Sequence, residues 1–202
     1  LWEVPYLPID PSDVGRSYEA VIRINSQSGN GGVAYLLEKD HGLSMPRRLQ
    51  IEFSQVIQKI ADESGKEISP SDIWENFQET YLNESGKYEF IKHNIKSSSN
   101  QDGTQSDKIN IGIKDESKII EMQGAGNGPI DAMIDAIKSD LKLDIKISDY
   151  HQHAISSGSD AKAVAYSELI LDDESVWGVG IHQNTVIAGL LSVISGLNRL
   201  SK

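Results

Sequence analysis

Apolar residues recur with two different periods along this chain, and the change of period divides it into two parts. In the first part, apolar positions lie three and four residues apart, which is the spacing of an amphipathic helix. In the second part, apolar and polar positions alternate over short segments, as they do in half-buried strands. We therefore predict an α+β protein with a mainly helical accessory segment at residues 1–86 and a second domain at residues 87–202.

The first part is predicted to hold three helices after an extended start, because three prolines among the first eleven residues disfavour helix there. A helix is expected over about residues 31–39, and a longer one follows Pro46. Residues 62–67 are polar and predict a short loop. Residues 69–72 (Ser-Pro-Ser-Asp) combine a capping serine, a proline at the first helical position and an acidic residue, which predicts the start of the third helix.

The second part repeats one order of elements, three strands followed by a helix. The predicted elements are strands at residues 88–95, 108–113 and 118–122, a helix after Asn127, strands at residues 143–154, 161–171 and 176–181, and a helix after Asn184. The two asparagines are 57 residues apart (184 − 127), and the same offset aligns four apolar positions of the two helices. We predict two βββα units that pack together, since neither unit buries its apolar sheet face alone. The alternative is a chance agreement between two amphipathic helices.

Composition narrows the classes of function. The chain has 202 residues, is 38% hydrophobic and 24% charged, and carries a net charge of −11. This acidic balance argues against nucleic acid and against an anionic membrane surface as partners. The absence of cysteine excludes thiolate metal sites and a cysteine nucleophile. Because the first residue is Leu1 and no signal-peptide pattern follows it, we expect a piece of a longer, cytoplasmic protein.

Residues 123–129, with three glycines, join a strand to a helix. Glycines let a backbone approach a ligand closely, and a helix N-terminus offers free N–H groups to a carboxylate or a phosphate. The Lys-Ser/Thr ending of a P-loop is missing. The alternative is a tight turn that needs glycine for steric reasons, and the sequence alone favours that alternative.

Ala161, Ala163 and Ala165 are predicted to lie on one face of a strand, where their small side chains leave a gap in front of the sheet. A closely packed helix is the commonest way to fill such a gap, and a partner subunit or a small apolar ligand are the alternatives. If the gap borders the glycine turn, one end binds an anion and the other an aliphatic group. A branched-chain amino acid has that chemistry.

No set of residues predicts a complete catalytic or metal site. His151 and His153 share a strand face with Asp149, but two histidines do not complete a metal site, and a solvated or interface pair is favoured. His41 lies near the C-terminal end of a predicted helix, where a histidine interacts favourably with the negative end of the helix dipole. From the residues alone, this chain is not expected to be an enzyme by itself and is expected to hold no metal or other cofactor.

Several segments closely resemble the α-isopropylmalate synthase family, in its longer-chain form. They begin with Leu-Trp-Glu-Val-Pro-Tyr-Leu-Pro at residues 1–8, and the resemblance extends in order over nearly the whole chain. The segments lie at residues 1–29, 41–54, 126–129, 149–154 and 176–181.

The resemblance implies that this chain is the accessory and C-terminal regulatory region of an enzyme of leucine biosynthesis. In that family an upstream TIM barrel, absent here, holds a divalent metal (Mg, Mn or Zn) and condenses acetyl-CoA with 2-ketoisovalerate. The family's catalytic tyrosine falls on Tyr6, which would reach the active site of the other subunit of a homodimer. This piece alone is expected to be inactive.

The resemblance also implies a site for leucine at the dimer interface, for feedback inhibition. The implied residues are Gly126, Asn127, Gly128, Ile130, Asp131, Ile147, Tyr150, Ala154, Ala161, Ala163 and Thr185. Ile147 and Tyr150 have opposite strand parity, so both line one pocket only at a β-bulge or at a subunit interface. Two alternatives stay open: a structural dimerisation module, and the regulatory domain of a citramalate synthase that senses isoleucine.

Overall fold

A computed structural model of the chain describes residues 30–65, 67–82, 86–99, 105–156, 158 and 160–201. Tyr6 and the extended start therefore lie outside the described residues. The elements are α1 (Asn30–His41), α2 (Arg47–Ser64), α3 (Pro70–Phe77, continued by a π-helical turn over Gln78–Leu82), β1 (Tyr88–Ser99), β2 (Gln105–Asp115), β3 (Lys118–Gly126), α4 (Pro129–Ala136, continued by a π-helical turn over Ile137–Leu141), β4 (Lys146–Ala154), β5 (Ala163–Leu171), β6 (Glu174–His182) and α5 (Thr185–Leu200). The predicted α+β class is confirmed. No described helix has the length and apolar character needed to span a membrane.

Helices α1, α2 and α3 form one layer. α2 buries Leu49, Phe53 and Ile57 on the stripe that the periodicity predicts. The capping box that opens α3 is confirmed: Ser69 Oγ accepts the Asp72 N–H, and the Asp72 carboxylate accepts the Ser69 N–H. The loop predicted at residues 62–67 is shorter than expected, because α2 continues to Ser64 and ends at a left-handed glycine.

The two βββα units are present. Strands β1, β2 and β3 form one antiparallel sheet in that order, and β4, β5 and β6 form a second. The helices that follow begin at Pro129 and Thr185, an offset of 56 residues (185 − 129). The predicted offset of 57 is therefore wrong by one residue. The counterpart of Asn184, the N-cap of α5, is Gly128 rather than Asn127, since Gly128 is the N-cap of α4.

The first strand of each unit also contains a β-bulge. The register shifts between Phe90 and Lys92 in β1 and between Ile147 and Asp149 in β4. A bulge at the same place in both units supports the internal repeat, because bulges are specific features of a sheet.

The two sheets are covered differently. α4 packs on the first sheet, α5 packs on the second, and their apolar side chains share a single core. The opposite face of the second sheet is also apolar and packs against the helical layer through Val164, Tyr166, Trp177 and Val179. Strands β5 and β6 are thus buried on both faces, between α5 and helices α1 to α3.

Several predicted strand ends shift in the second part. β1 ends at Ser99 rather than near residue 95, and β2 starts at Gln105 rather than near residue 108. Ala161, predicted to lie on a strand with Ala163, precedes β5.

Candidate functional site

The predicted turn at residues 123–129 is mostly strand, because β3 continues to Gly126 and only Asn127 and Gly128 join it to α4. A Cβ at Gly124 or Gly126 would collide with the backbone of α4 near Ala132. These two glycines are therefore required for close packing, which is the steric alternative set out above. Gly128 differs from them, because a Cβ there would meet no atom of the described residues within 4 Å.

Among the residues that the structure describes, no side chain caps the N-terminus of α4. Its N-cap Gly128 offers no acceptor, and Pro129 occupies the first helical position without an N–H. Helix α5 begins differently: the Oδ1 atom of Asn184 accepts the N–H groups of Val186 and Ile187 at 2.9 and 3.1 Å. The second unit thus satisfies its own helix start, whereas the first leaves donors and the positive end of the dipole for another group.

Aspartates from α4 and its π-helical turn bind the edge of β3. Carboxylate oxygens of Asp140, Asp135 and Asp131 accept N–H groups of Gln123, Ala125 and Asn127, at 3.0, 2.9 and 3.0 Å respectively. The backbone N–H of Asn127, which the resemblance assigns to the ligand site, therefore already donates to the Asp131 carboxylate. The donors left at the head of α4 belong to the helix itself.

Three residues from different elements meet behind this helix start. A Cβ on Gly189 of α5 would lie 2.7 Å from Ile130 Cδ1 and 2.8 Å from the Tyr150 hydroxyl oxygen. The Tyr150 hydroxyl donates to Gln152 Oε1 at 3.2 Å, and Gln152 Nε2 donates to the Thr185 carbonyl at 2.7 Å. Burial raises the pKa of Tyr150. Ile130, Tyr150 and Thr185, all implied by the resemblance, are therefore brought together.

The small side chains of β5 lie next to this group. Ala163 and Ala165 form a small buried cluster with Ala188 of α5, and Tyr150 packs against it. The space predicted in front of these two alanines is thus occupied by Ala188 of α5, with Tyr150 packed against the cluster. Ala154, the strand partner of Ala163, is exposed.

The bulge in β4 explains how Ile147 and Tyr150, which have opposite strand parity, lie on the same face of the sheet. Ile147 pairs with Leu169 and Tyr150 pairs with Ser167, two residues apart on the neighbouring strand. The two side chains therefore share the face that α5 covers, where Ile147 packs in the larger core.

The histidines lie on the opposite face of the second sheet. His151 Nε2 is 2.9 Å from Asp149 Oδ1, and His153 Nε2 is 3.2 Å from the Tyr166 hydroxyl. Burial opposes ionisation of Asp149, but hydrogen bonds from His151, Tyr150 and Arg48 hold its pKa below the usual value. Over the part of the chain that the structure describes, no group of three His, Asp or Glu side chains is arranged to hold a metal ion.

Gly189, Ala188 and Gln152 belong to this group although the sequence analysis did not select them. A signal existed for Ala188 alone: Ala188, Ser192 and Gly196 repeat every four residues in a helix whose other residues are mostly large and apolar. Such a small-residue stripe indicates close contact, and the stripe packs on the glycines of β6.

The fold and site define a class: an α+β domain of two βββα units, docked on a helical layer, with an uncapped helix start beside an apolar group. The family described as the LeuA allosteric (dimerisation) domain matches residues 67–201. The chain belongs to this family. A second family, described as the post-catalytic domain-like part of alpha-isopropylmalate synthase, matches residues 1–38. The resemblance drawn from the sequence motifs is confirmed.

Proteins similar to this chain are named 2-isopropylmalate synthase. A 2-isopropylmalate synthase of Rhodospirillum rubrum is 48% identical over 202 residues, covering 100% of this chain and 36% of the relative. One of Mycobacterium ulcerans is 49% identical over 205 residues, covering 100% and 36%. One of Ralstonia nicotianae is 45% identical over 203 residues, covering 100% and 34%. The chain thus spans about a third of the length of the curated relatives it matches.

Proposed function

We propose that this chain is the regulatory part of a 2-isopropylmalate synthase and that it binds leucine for feedback inhibition. The whole protein would condense acetyl-CoA with 2-ketoisovalerate on a metal-containing barrel, and this part alone would be inactive. The names of the relatives and the family match support this proposal. Tyr6 remains the implied catalytic residue, outside the described part of the chain.

One observation carries the ligand proposal: the start of α4 lacks a cap where the start of α5 has one. The leucine carboxylate would accept the N–H groups that Gly128 leaves without a side-chain acceptor, at the positive end of the helix. Its isobutyl group would lie beside Ile130, Tyr150 and Ala163. Because Asn184 occupies the equivalent position of the second unit, we expect a single ligand per chain.

The proposed site requires a second surface. Ala154 and Thr185 are exposed, and Ala161 is half-buried. These residues enclose a ligand only when another molecule covers them, and the family description as a dimerisation domain supports a second copy of this chain in that role.

A second candidate function rests on Asp131. Its carboxylate lies at the head of α4 and already bonds the Asn127 amide, so it would repel a ligand carboxylate. This observation favours a dimerisation module without leucine binding. A pocket adapted to isoleucine is the other variant, since isoleucine branches one carbon closer to the head group.

Calorimetric titration with leucine, isoleucine and valine distinguishes these functions, run together with light scattering after size exclusion. The regulatory proposal expects a dimer that binds one leucine per chain, at least tenfold more tightly than valine. A dimer that gives no heat with any of the three amino acids would support the alternative of a dimerisation module without leucine binding. A preference for isoleucine would support the citramalate synthase variant.

A further inference from the structure

Two charged side chains of α2, Arg48 and Glu52, lie one helical turn apart and face the second βββα unit. Residues four apart share one side of a helix. Around them, Phe53 and Ile57 pack in the same core as Trp177 of β6. α2 is therefore attached to the second unit by an apolar contact and by two charged ones.

Arg48 holds the bulge of β4. Its Nη2 atom is 2.6 Å from Oε2 of Glu168 and 3.5 Å from Oδ2 of Asp149. Glu168 is buried and accepts the hydroxyl groups of Ser148 and Ser175. Ser148 is the residue at which the register of β4 shifts. Arg48 is thus connected, through a buried carboxylate, to the point that sets which side chains of β4 face α5.

Asp149 connects the same arginine to the candidate site. Its Oδ1 atom accepts the N–H of Tyr150 at 2.9 Å, while its Oδ2 atom faces Arg48. One carboxylate therefore stands between α2 and the backbone of a residue in the proposed ligand wall.

Glu52 connects α2 to the other end of α5. Its Oε1 atom accepts the Tyr81 hydroxyl at 2.8 Å and Arg199 Nη1 at 2.6 Å, and its Oε2 atom accepts the Trp177 N–H at 3.3 Å. Arg199 also donates to the Trp177 carbonyl at 2.5 Å. Arg199 lies in the last turn of α5, the helix whose Gly189 touches the candidate site.

Both routes from the candidate site therefore end on one side of α2. A ligand that moves Tyr150 acts on Arg48 through Asp149, and a ligand that moves α5 acts on Glu52 through Arg199. Exposed ion pairs contribute little, but Glu168 is buried, and Glu52 and Arg199 are mostly buried and held by several partners.

We propose that Arg48 and Glu52 transmit ligand binding from the second unit to α2, so that α2 is the element of the helical layer that responds to leucine. They are positioning residues that do not touch the ligand. This inference rests on the proposed function. Two sites are coupled energetically when a ligand shifts the equilibrium between two states of an element that connects them. Here that element is α2, which is attached to the second unit through Arg48 and Glu52.

The test is hydrogen–deuterium exchange of the whole chain with and without saturating leucine, combined with calorimetry. In the wild type, leucine should change amide exchange across Arg47–Ser64 at least threefold. Arg48→Gln combined with Glu52→Gln should keep leucine affinity within threefold and abolish the change on α2. Arg47→Gln combined with Glu63→Gln is the matched control on the same helix and should keep the change.

Two results would overturn the inference while leaving the proposed function intact. The first is leucine binding without any change on α2 in the wild type, and the second is an undiminished change in the double variant. Absence of leucine binding would remove both proposals. Should the double variant unfold, as judged by circular dichroism, the single variant Glu52→Gln keeps the side-chain shape and must show at least a halved response.

Discussion

At the scale of single residues, Gly189 controls how closely α5 approaches α4 and β4. The groups nearest to it, Ile130 Cδ1 and the Tyr150 hydroxyl, are the ends of side chains, so they can move to admit a methyl group. Such a displacement changes the shape of the proposed pocket without breaking the backbone of either unit.

Gly189→Ala is predicted to weaken leucine binding about tenfold, or ~1.4 kcal/mol, because Ile130 and Tyr150 would be pushed into the space for the isobutyl group. Folding stability should change little, since alanine favours helix and offsets the local strain. Calorimetry and thermal melting measure the two effects. Gly31→Ala is the control, because Gly31 lies in α1 and no atom of the described part of the chain is within 4 Å of the added methyl. Unchanged leucine affinity in Gly189→Ala would remove Gly189 from the site.

His41 gives the helical layer a dependence on pH. It ends α1 and stacks on Trp74 with ring centroids 3.8 Å apart. Burial lowers the pKa of His41, although the nearby Asp40 opposes the shift. The unfolded chain therefore binds the proton more readily than the folded chain does.

The predicted consequence is a loss of stability as the pH falls through about 6.5, the ordinary histidine value, toward the lower pKa of the folded state. The melting temperature should fall between pH 7.5 and 5.5. His41→Phe keeps the stacking and should show a smaller fall over this range. A variant as sensitive to pH as the wild type would assign the effect to other groups.

At the scale of elements, aspartates accept outward N–H groups of β3, the edge strand of the first sheet in the described part of the chain. An open edge is a template for pairing with another chain, and carboxylates that accept its N–H groups block that pairing. Asp140 lies near the C-terminal end of its helix, where an acid is unfavourable. Its bond to Gln123 accounts for that placement.

Asp135→Ala combined with Asp140→Ala is predicted to expose two N–H groups of β3 and to produce self-association that rises with concentration. Sedimentation velocity at several concentrations measures it. Asp62→Ala combined with Asp160→Ala removes the same charge from other surfaces and should leave the sedimentation unchanged. Equal association in the two double variants would indicate a general effect of charge.

The sequence predicted the elements better than their contacts. The βββα repeat, the capping box of α3 and the stripe of α2 follow from local patterns, and all three are present. The offset was wrong by one because apolar spacing of three and four tolerates a shift of one residue. The bond between Asp131 and Asn127, and the approach of Gly189 to Tyr150, depend on how separate elements pack, which no local pattern encodes.

At the scale of the whole molecule, strands β5 and β6 of the second sheet are covered on both faces. Tyr166 and Trp177 face the helical layer, and the alanines of β5 face α5. The boundary predicted near residue 86 therefore separates two parts of the sequence that share a core. The two parts should unfold together.

A chain limited to residues 87–202 is predicted to aggregate or to bind a hydrophobic dye, because it exposes Val164, Tyr166, Trp177 and Val179. The whole chain should do neither and should show one cooperative thermal transition. Dye fluorescence and calorimetry measure these properties. A soluble, dye-negative 87–202 piece would contradict the shared core.

The central claim is that the uncapped start of α4 receives the carboxylate of an amino acid. Gly128 has an extended backbone that any residue adopts and open space at its Cβ, so Gly128→Asp introduces a helix cap without strain. The new carboxylate should stabilise the fold by about 1 kcal/mol and occupy the donors that leucine needs. Gly128→Ala, which adds no acceptor, is the control.

The decisive measurement is a leucine titration of these variants followed by thermal melting. The account predicts that Gly128→Asp melts higher than the wild type and has lost leucine binding, while Gly128→Ala still binds. Full leucine affinity in Gly128→Asp would contradict it.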